Sequence, residues 1–364
     1  YLNIIGVLPS AEEAKRFLSD TDPKKREKIV DELLNRPEYA DNWALYWGDH
    51  LHNTKQLLYN AGPYTFTRWL YKAFRQNWPY DKFVRELVTS SGNMYDSPAT
   101  SFYPLMNKPL EMASVSSQLF LGVRLDCARC HNHPLEKWTQ EDYNSMAAFF
   151  GQVSYKGGTG PRNNERTLYV KFDKHFQHPD TKQIHFPRPL GETGYLETGP
   201  ETDRREVLAD WMISKDNPFF AKTIVNRYWK QFMGRGLVDP VDDFRVTNPC
   251  THPEVLDALA KDFAENGWDL HHLIKRITSS RAYQLDSTTV PGNEQDTTLY
   301  SHYLPRRLSA EQMLDSLSKA TGVHEQFTSL YPGTTAAQLP EPEIESYFLD
   351  VFDRPSRQLV CDRK

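Results

Sequence analysis

Apolar positions along the chain recur mostly at intervals of three and four, the spacing that gathers side chains on one face of an α-helix. Ile29, Val30, Leu33 and Leu34 make one such stripe, and Met112, Val115 and Leu119 make another. Helix-start signals stand where the stripes begin. Ser10 with Glu13, Thr139 with Asp142 and Ser309 with Gln312 are each spaced as capping boxes, in which two residues satisfy free backbone N–H groups reciprocally. Asp22-Pro23 marks a further start. Pro37 opens a helix running through Trp43 towards Trp47, and Pro109 opens one that ends near Gly122. More helices are expected at 65–74, 81–88, 203–213, 218–233, 252–265, 270–280 and 310–320.

Between Gly151 and about Pro200 the pattern changes. Glycine and proline punctuate short alternating pieces such as Thr167 to Phe172, which predict small strands between loops. The segment from Leu237 to Cys250 is rich in proline and aspartate and reads as a structured loop. The expected fold class is therefore mainly α. A helical domain spans 1–150, a loop and short-strand insertion spans 151–200, and a second helical domain spans 201–364. No fixed-period repeat is present.

Composition changes this picture only by exclusion. Lys and Arg number 43 against 48 Asp and Glu, a net charge of −5 with no basic run, which argues against nucleic acid as a partner. No apolar run approaches the ~20 residues that span a bilayer as a helix. Both ends read as the interior of a longer protein, so targeting has to be argued from chemistry.

Four cysteines occur, at 127, 130, 250 and 361. Cys127-Ala128-Arg129-Cys130-His131 is the attachment pattern for c-type haem. Two thiols two residues apart reach the vinyl groups on one edge of a porphyrin, and the adjacent histidine becomes the proximal iron ligand. Three other readings compete. Zinc would use Cys127, Cys130 and one or both of His131 and His133, but the second ligand pair that a structural zinc site wants is missing. A thioredoxin-like dithiol would want a βαβ setting, and a plain disulfide leaves His131 without a role. One covalent haem c, held by Cys127, Cys130 and His131, uses all three residues.

Leu119, Phe120, Leu125, Trp138, Met146, Phe149 and Phe150 are placed to wall a porphyrin, although each taken singly is better read as core. Arg124, Arg129 and Lys137 are candidates to meet propionates. For the distal side of the iron, His178 ranks first, because the insertion that carries it could fold over the haem. Met106, Met112, His302 and His50 are alternatives. Asp242, Asp243 and Arg245 form a polar group beside Asn226 and Arg227, whose paired carboxylates could bind a metal or serve as acid and base in a cleft. Loop capping and ion pairing explain them better. Haem attachment implies maturation in an oxidising compartment, where Cys250 and Cys361 become candidates for a disulfide.

The string LGVRLDCARCHNHP at 121–134, followed by KWTQ at 137–140, resembles the planctomycete-type cytochrome c family. Those proteins join a haem-motif domain to a second domain of unknown function. The likeness extends from IGVLP at 5–9 and PYDKFVRE at 79–86 to NPFFA at 217–221, GRGLV at 234–238, PVDDF at 240–244 and SSRAYQ at 279–284. Where that family usually has a second proline, this chain has Cys250. The resemblance implies export and haem c at Cys127, Cys130 and His131, and it names no reaction. A periplasmic or cell-surface mono-haem protein is expected, moving electrons to a redox partner protein or an extracellular acceptor. An oxidative, peroxidase-like haem enzyme on an extracellular substrate and a haem-stabilised surface scaffold are the rivals. Self-association stays open.

Overall fold

Residues 1–59, 61–104, 106, 108–134, 136–157, 166–196 and 198–357 are described in the computed structural model. Among the described residues lie fifteen α-helices and only five short strands, so the fold is mainly α, as the spacing of apolar residues requires. The chain divides into two units, one from Tyr1–Trp78, Gln231–Arg235 and Asp269–Lys364, the other from Pro79–Lys230 and Gly236–Trp268.

The first unit is built on the Pro37–His50 helix. Pro37 supplies its first turn, where a missing N–H costs nothing. The helix runs a turn beyond Trp47 because its later residues are buried too, and Asp49 is neutralised by Arg357 at 2.7 Å. Trp43 and Trp47 are fully buried, and Trp43 Nε1 donates to the Ile4 carbonyl at 3.1 Å. The Ser10–Glu13 box forms in full. At Ser309 only half of the expected box appears. Ser309 caps the Gln312 amide, whereas the Gln312 side chain donates to the Leu2 carbonyl at 3.1 Å.

The second unit holds the cysteine motif. Helices Tyr80–Thr89, Pro109–Leu121, Gln140–Ala148, Arg204–Ile213 and Pro253–Glu265 belong to it. The alternating segment forms the strand Arg166–Val170, which pairs antiparallel with Gly92–Asn93 on one side and Val153–Gly157 on the other. Leu168 and Val153 turn inward and are buried. A second small ladder pairs Phe176–Gln177 with Ile184–His185. Arg205 is fully buried at the start of its helix and grips Asp203, the Tyr103 hydroxyl, and the carbonyls of Thr89 and Ser90.

Candidate functional site

The helix Pro109–Leu121 ends on Gly122, which takes the left-handed conformation at φ 66° and turns the chain into the motif. Asp126–Arg129 then forms a single 3₁₀ turn. Cys127 lies within this turn and Cys130 caps its end. Ala128 between them is fully buried and anchors the turn, whereas both thiols are exposed and free. Two exposed thiols thus stand three residues apart along the chain.

His131 follows, exposed, with Nδ1 2.8 Å from the Asn132 carbonyl. A carbonyl can only accept, so Nδ1 carries the proton here, which in the neutral ring leaves the lone pair on Nε2. That is the tautomer of an iron- or zinc-ligating imidazole, whose second nitrogen donates to a neighbouring oxygen. The motif is further held by Ser114, which donates to Asp126 at 2.5 Å, and by Asn132, whose side chain accepts from the Gln140 amide at 3.1 Å. The Thr139–Asp142 box caps the helix that follows.

Three residues after His131 the chain enters a groove of about 910 Å³, whose lining begins at Pro134. Three extended residues reach at most about 11 Å, so the histidine lies close to it. Trp138, Phe219, Val238, Phe244, Val246 and Leu256 make its apolar walls, and Glu136, Lys137, Arg245 and Asp257 stand among them. Trp138 and Phe219 pack at 6.1 Å between ring centres, with the Lys137 ammonium over the Trp138 ring. Arg245 and Asp257 are neutralised by Asp243 at 3.0 Å and Lys222 at 2.5 Å.

The far wall is tied to the motif. The Phe244 N–H donates to the Gly122 carbonyl at 2.9 Å, and the Val246 N–H donates to Glu136 at 2.8 Å. Asp242 accepts from Gln118 at 2.6 Å and pairs with Arg124. Asn226 holds the same loop by bonding both the N–H and the carbonyl of Val238. The acidic pair thus has the loop-fixing role favoured from the sequence, and Arg124 has carboxylate partners. Sequence reading did not find the strap from Phe244 to Gly122. Its one visible signal was the glycine just ahead of the motif.

The expected porphyrin walls divide. Leu119, Phe120, Leu125, Met146, Phe149 and Phe150 are fully buried core, and Trp138 borders the groove. Met106 and Met112 are also buried in this unit, whereas His50 and His302 belong to the other. Cys250 borders the groove as a free thiol whose titration burial pushes upward. Its expected partner Cys361 lies outside the described residues.

His178 is a turn residue. Its Nδ1 accepts from the amides of Asp180 and Thr181 at 3.2 and 3.3 Å, so the ring proton sits on Nε2, the reverse of His131. It could ligate a metal through Nε2 only by giving up those two bonds. The insertion around it docks on the Gln140–Ala148 helix. Arg188 pairs with Asp142 at 3.0 Å, and the Tyr195 hydroxyl donates to Glu141 at 2.9 Å. Burial raises the Glu141 titration, but hydrogen bonds from Tyr195, His185 and Ser145 outweigh it and hold the carboxyl below its usual range.

Residues 1–155 match the protein family PSCyt2, described as a protein of unknown function (DUF1549). Residues 204–364 match PSD1, also a protein of unknown function (DUF1553). No curated protein and no solved structure matches the chain. No described helix is long and apolar enough to cross a membrane.

Proposed function

The chain belongs to the planctomycete-type cytochrome c family, and from that premise we propose that it is an exported protein carrying one covalent haem c and exchanging electrons through it. The observation that carries the reading is the conjunction at the motif. Two exposed thiols stand three residues apart, Cys127 within a 3₁₀ turn and Cys130 at its end, and the next imidazole has Nδ1 turned to a carbonyl. These residues fit the group. Cys127 and Cys130 would hold its edge, His131 Nε2 would ligate the iron, and the adjoining apolar groove would shield it from water. Bound haem would supply one-electron exchange at iron. The chain's own part is to fix the imidazole tautomer through Asn132, keep the thiols accessible for attachment, and hold the groove open through the strap.

Zinc fits less well. It wants four converging donors, and no group of three or more His, Cys, Asp or Glu placed to hold a metal is found among the described residues. Haem needs only the thiol edge and one imidazole.

A second reading, a haem enzyme oxidising an extracellular substrate, gains support from His178. With its Nδ1 bonded to two amides, the favoured sixth ligand is in the wrong tautomer, and the described groove lining contains neither His nor Met. Haem held without such a ligand would supply small-ligand binding at its iron.

Export and maturation would place the protein in the periplasm or on the cell surface, with a redox protein or extracellular acceptor as partner. The test is expression with c-type haem maturation, followed by intact mass under denaturing conditions and absorption spectra with and without carbon monoxide. A gain of one haem that survives denaturation supports attachment, and colourless protein overturns it. A spectrum indifferent to carbon monoxide favours electron transfer, and one that shifts favours the oxidative enzyme.

A further inference from the structure

The Gly62–Arg75 helix of the first unit presents two faces of different character. Phe66, Leu70, Ala73 and Phe74 are buried and hold it to the core. Tyr64, Arg68 and Tyr71 stand at i, i+4 and i+7, which at 100° per residue gathers them on the opposite side. This second stripe contributes little to the core. It borders a cleft of about 300 Å³, completed by Asp41, Tyr331 and Gln338. Tyr331 is 90% exposed and Tyr64 45%, an uncommon cost for large aromatic rings around one hollow.

We infer that this cleft is a binding site for a neutral, hydroxyl-rich ring, namely a sugar unit. Three chemical features select that class. Three tyrosines line it, and such rings stack on the C–H side of a saccharide ring while their hydroxyls serve as polar handles. Asp41 accepts, Arg68 donates and Gln338 does both, the mixture that adjacent hydroxyls satisfy. One carboxylate and one guanidinium leave the cleft without net charge, so neither an anion nor a cation is favoured. Its volume, at the small end for ligand pockets, suits one or two rings.

The floor of the cleft is poised for such a ligand. Asp41 Oδ2 accepts from Gln338 Nε2 at 3.2 Å, a long bond to a partly buried carboxylate. Burial is the main cause that pushes its pKa up to about 6. A sugar hydroxyl donating there would replace lost water. Nothing in this site involves the cysteine motif, so it stands or falls independently of haem.

The test titrates the full chain, by saturation-transfer NMR and calorimetry, with neutral hexoses, pentoses, deoxyhexoses and their trisaccharides, and with adenosine and inorganic phosphate. At least one sugar should bind saturably. Tyr331→Ala and Asp41→Asn should each weaken it by about fivefold or more, roughly 1 kcal/mol. Tyr347→Ala, an equally exposed tyrosine away from the cleft, should leave binding unchanged. Tyr331 is exposed enough that its removal should not disturb folding, which a thermal melt checks. The inference is overturned if no sugar saturates, if Tyr331→Ala binds as well as the native chain, or if adenosine or phosphate binds in place of sugars.

Discussion

Phe244 occupies the space that a side chain on Gly122 would need. A Cβ built on Gly122 would lie 2.5 Å from Phe244 Cδ2 and 2.9 Å from Thr223 Oγ1, and the residue is already at φ 66°. Gly122→Ala therefore combines a left-handed penalty of about 1–2 kcal/mol with overpacking of about 1–3 kcal/mol. A loss of about 2–5 kcal/mol is expected in urea melts. Phe244→Ala in the same chain should restore part of it, because it removes the clashing ring. Equal stability of Gly122→Ala and the native protein would show that the strap yields freely.

Much of this architecture was legible in the sequence because its signals are local. Capping boxes at Ser10 and Thr139, prolines at 37 and 109, and the glycine at 122 placed helix ends to within a few residues. The cysteine motif stands out for the same reason, since its five residues are consecutive. What the sequence hid was long-range. Nothing near Phe244 says that its amide closes on Gly122, and nothing near Tyr331 or Gln338 says that they face Asp41. Gln312 shows the same limit from the other side. Its spacing from Ser309 predicts a closed box, yet its amide is spent on Leu2, more than three hundred residues away in sequence.

Arg205 makes a planar fork that lysine cannot reproduce. Its guanidinium is wholly buried and bonds both Asp203 oxygens together with the Thr89 and Ser90 carbonyls and the Ser91 hydroxyl. Arg205→Lys keeps the charge but leaves several of these acceptors without a donor, at about 2–3 kcal/mol. Arg205→Ala also strands Asp203 and should cost more, about 3–5 kcal/mol. Denaturant midpoints give the order, and indistinguishable Lys and Arg proteins would refute the fork.

Two buried groups in the first unit give stability opposite pH slopes. Burial raises Asp315 from 3.8 to about 6, although it caps the amides of Ala336 and Ala337. The folded state then holds a proton that the unfolded state has lost, so this contribution is complete below pH 4 and disappears as pH rises through 6. Burial lowers His52 from 6.5 to about 4. Here the unfolded state holds the extra proton, and the stability present above pH 6.5 is lost as pH falls through 4. Asp315→Asn should make urea midpoints rise more steeply between pH 4.5 and 7, and His52→Phe should make them rise less steeply. Changes of about 1–3 kcal/mol across that window are expected from the size of the shifts. A pH profile unaltered in both variants would mean that neither group is held in its shifted state.

The two histidines with opposite tautomers make the sharpest separation available at the motif. His131 has its proton on Nδ1 and keeps Nε2 for a metal, whereas His178 spends Nδ1 as an acceptor for the amides of Asp180 and Thr181. In protein matured with haem, His131→Ala should shift the Soret band or lower haem content several-fold, because the iron would lose the imidazole that directly follows the thiol pair. His178→Ala should leave the spectrum unchanged and cost only the turn, about 1 kcal/mol or less of stability. Reversal of this pattern, with the spectrum sensitive to His178 and indifferent to His131, would require the insertion to rearrange on haem attachment. Imidazole added to the His131→Ala protein should recover the native band if ligation, not folding, was lost.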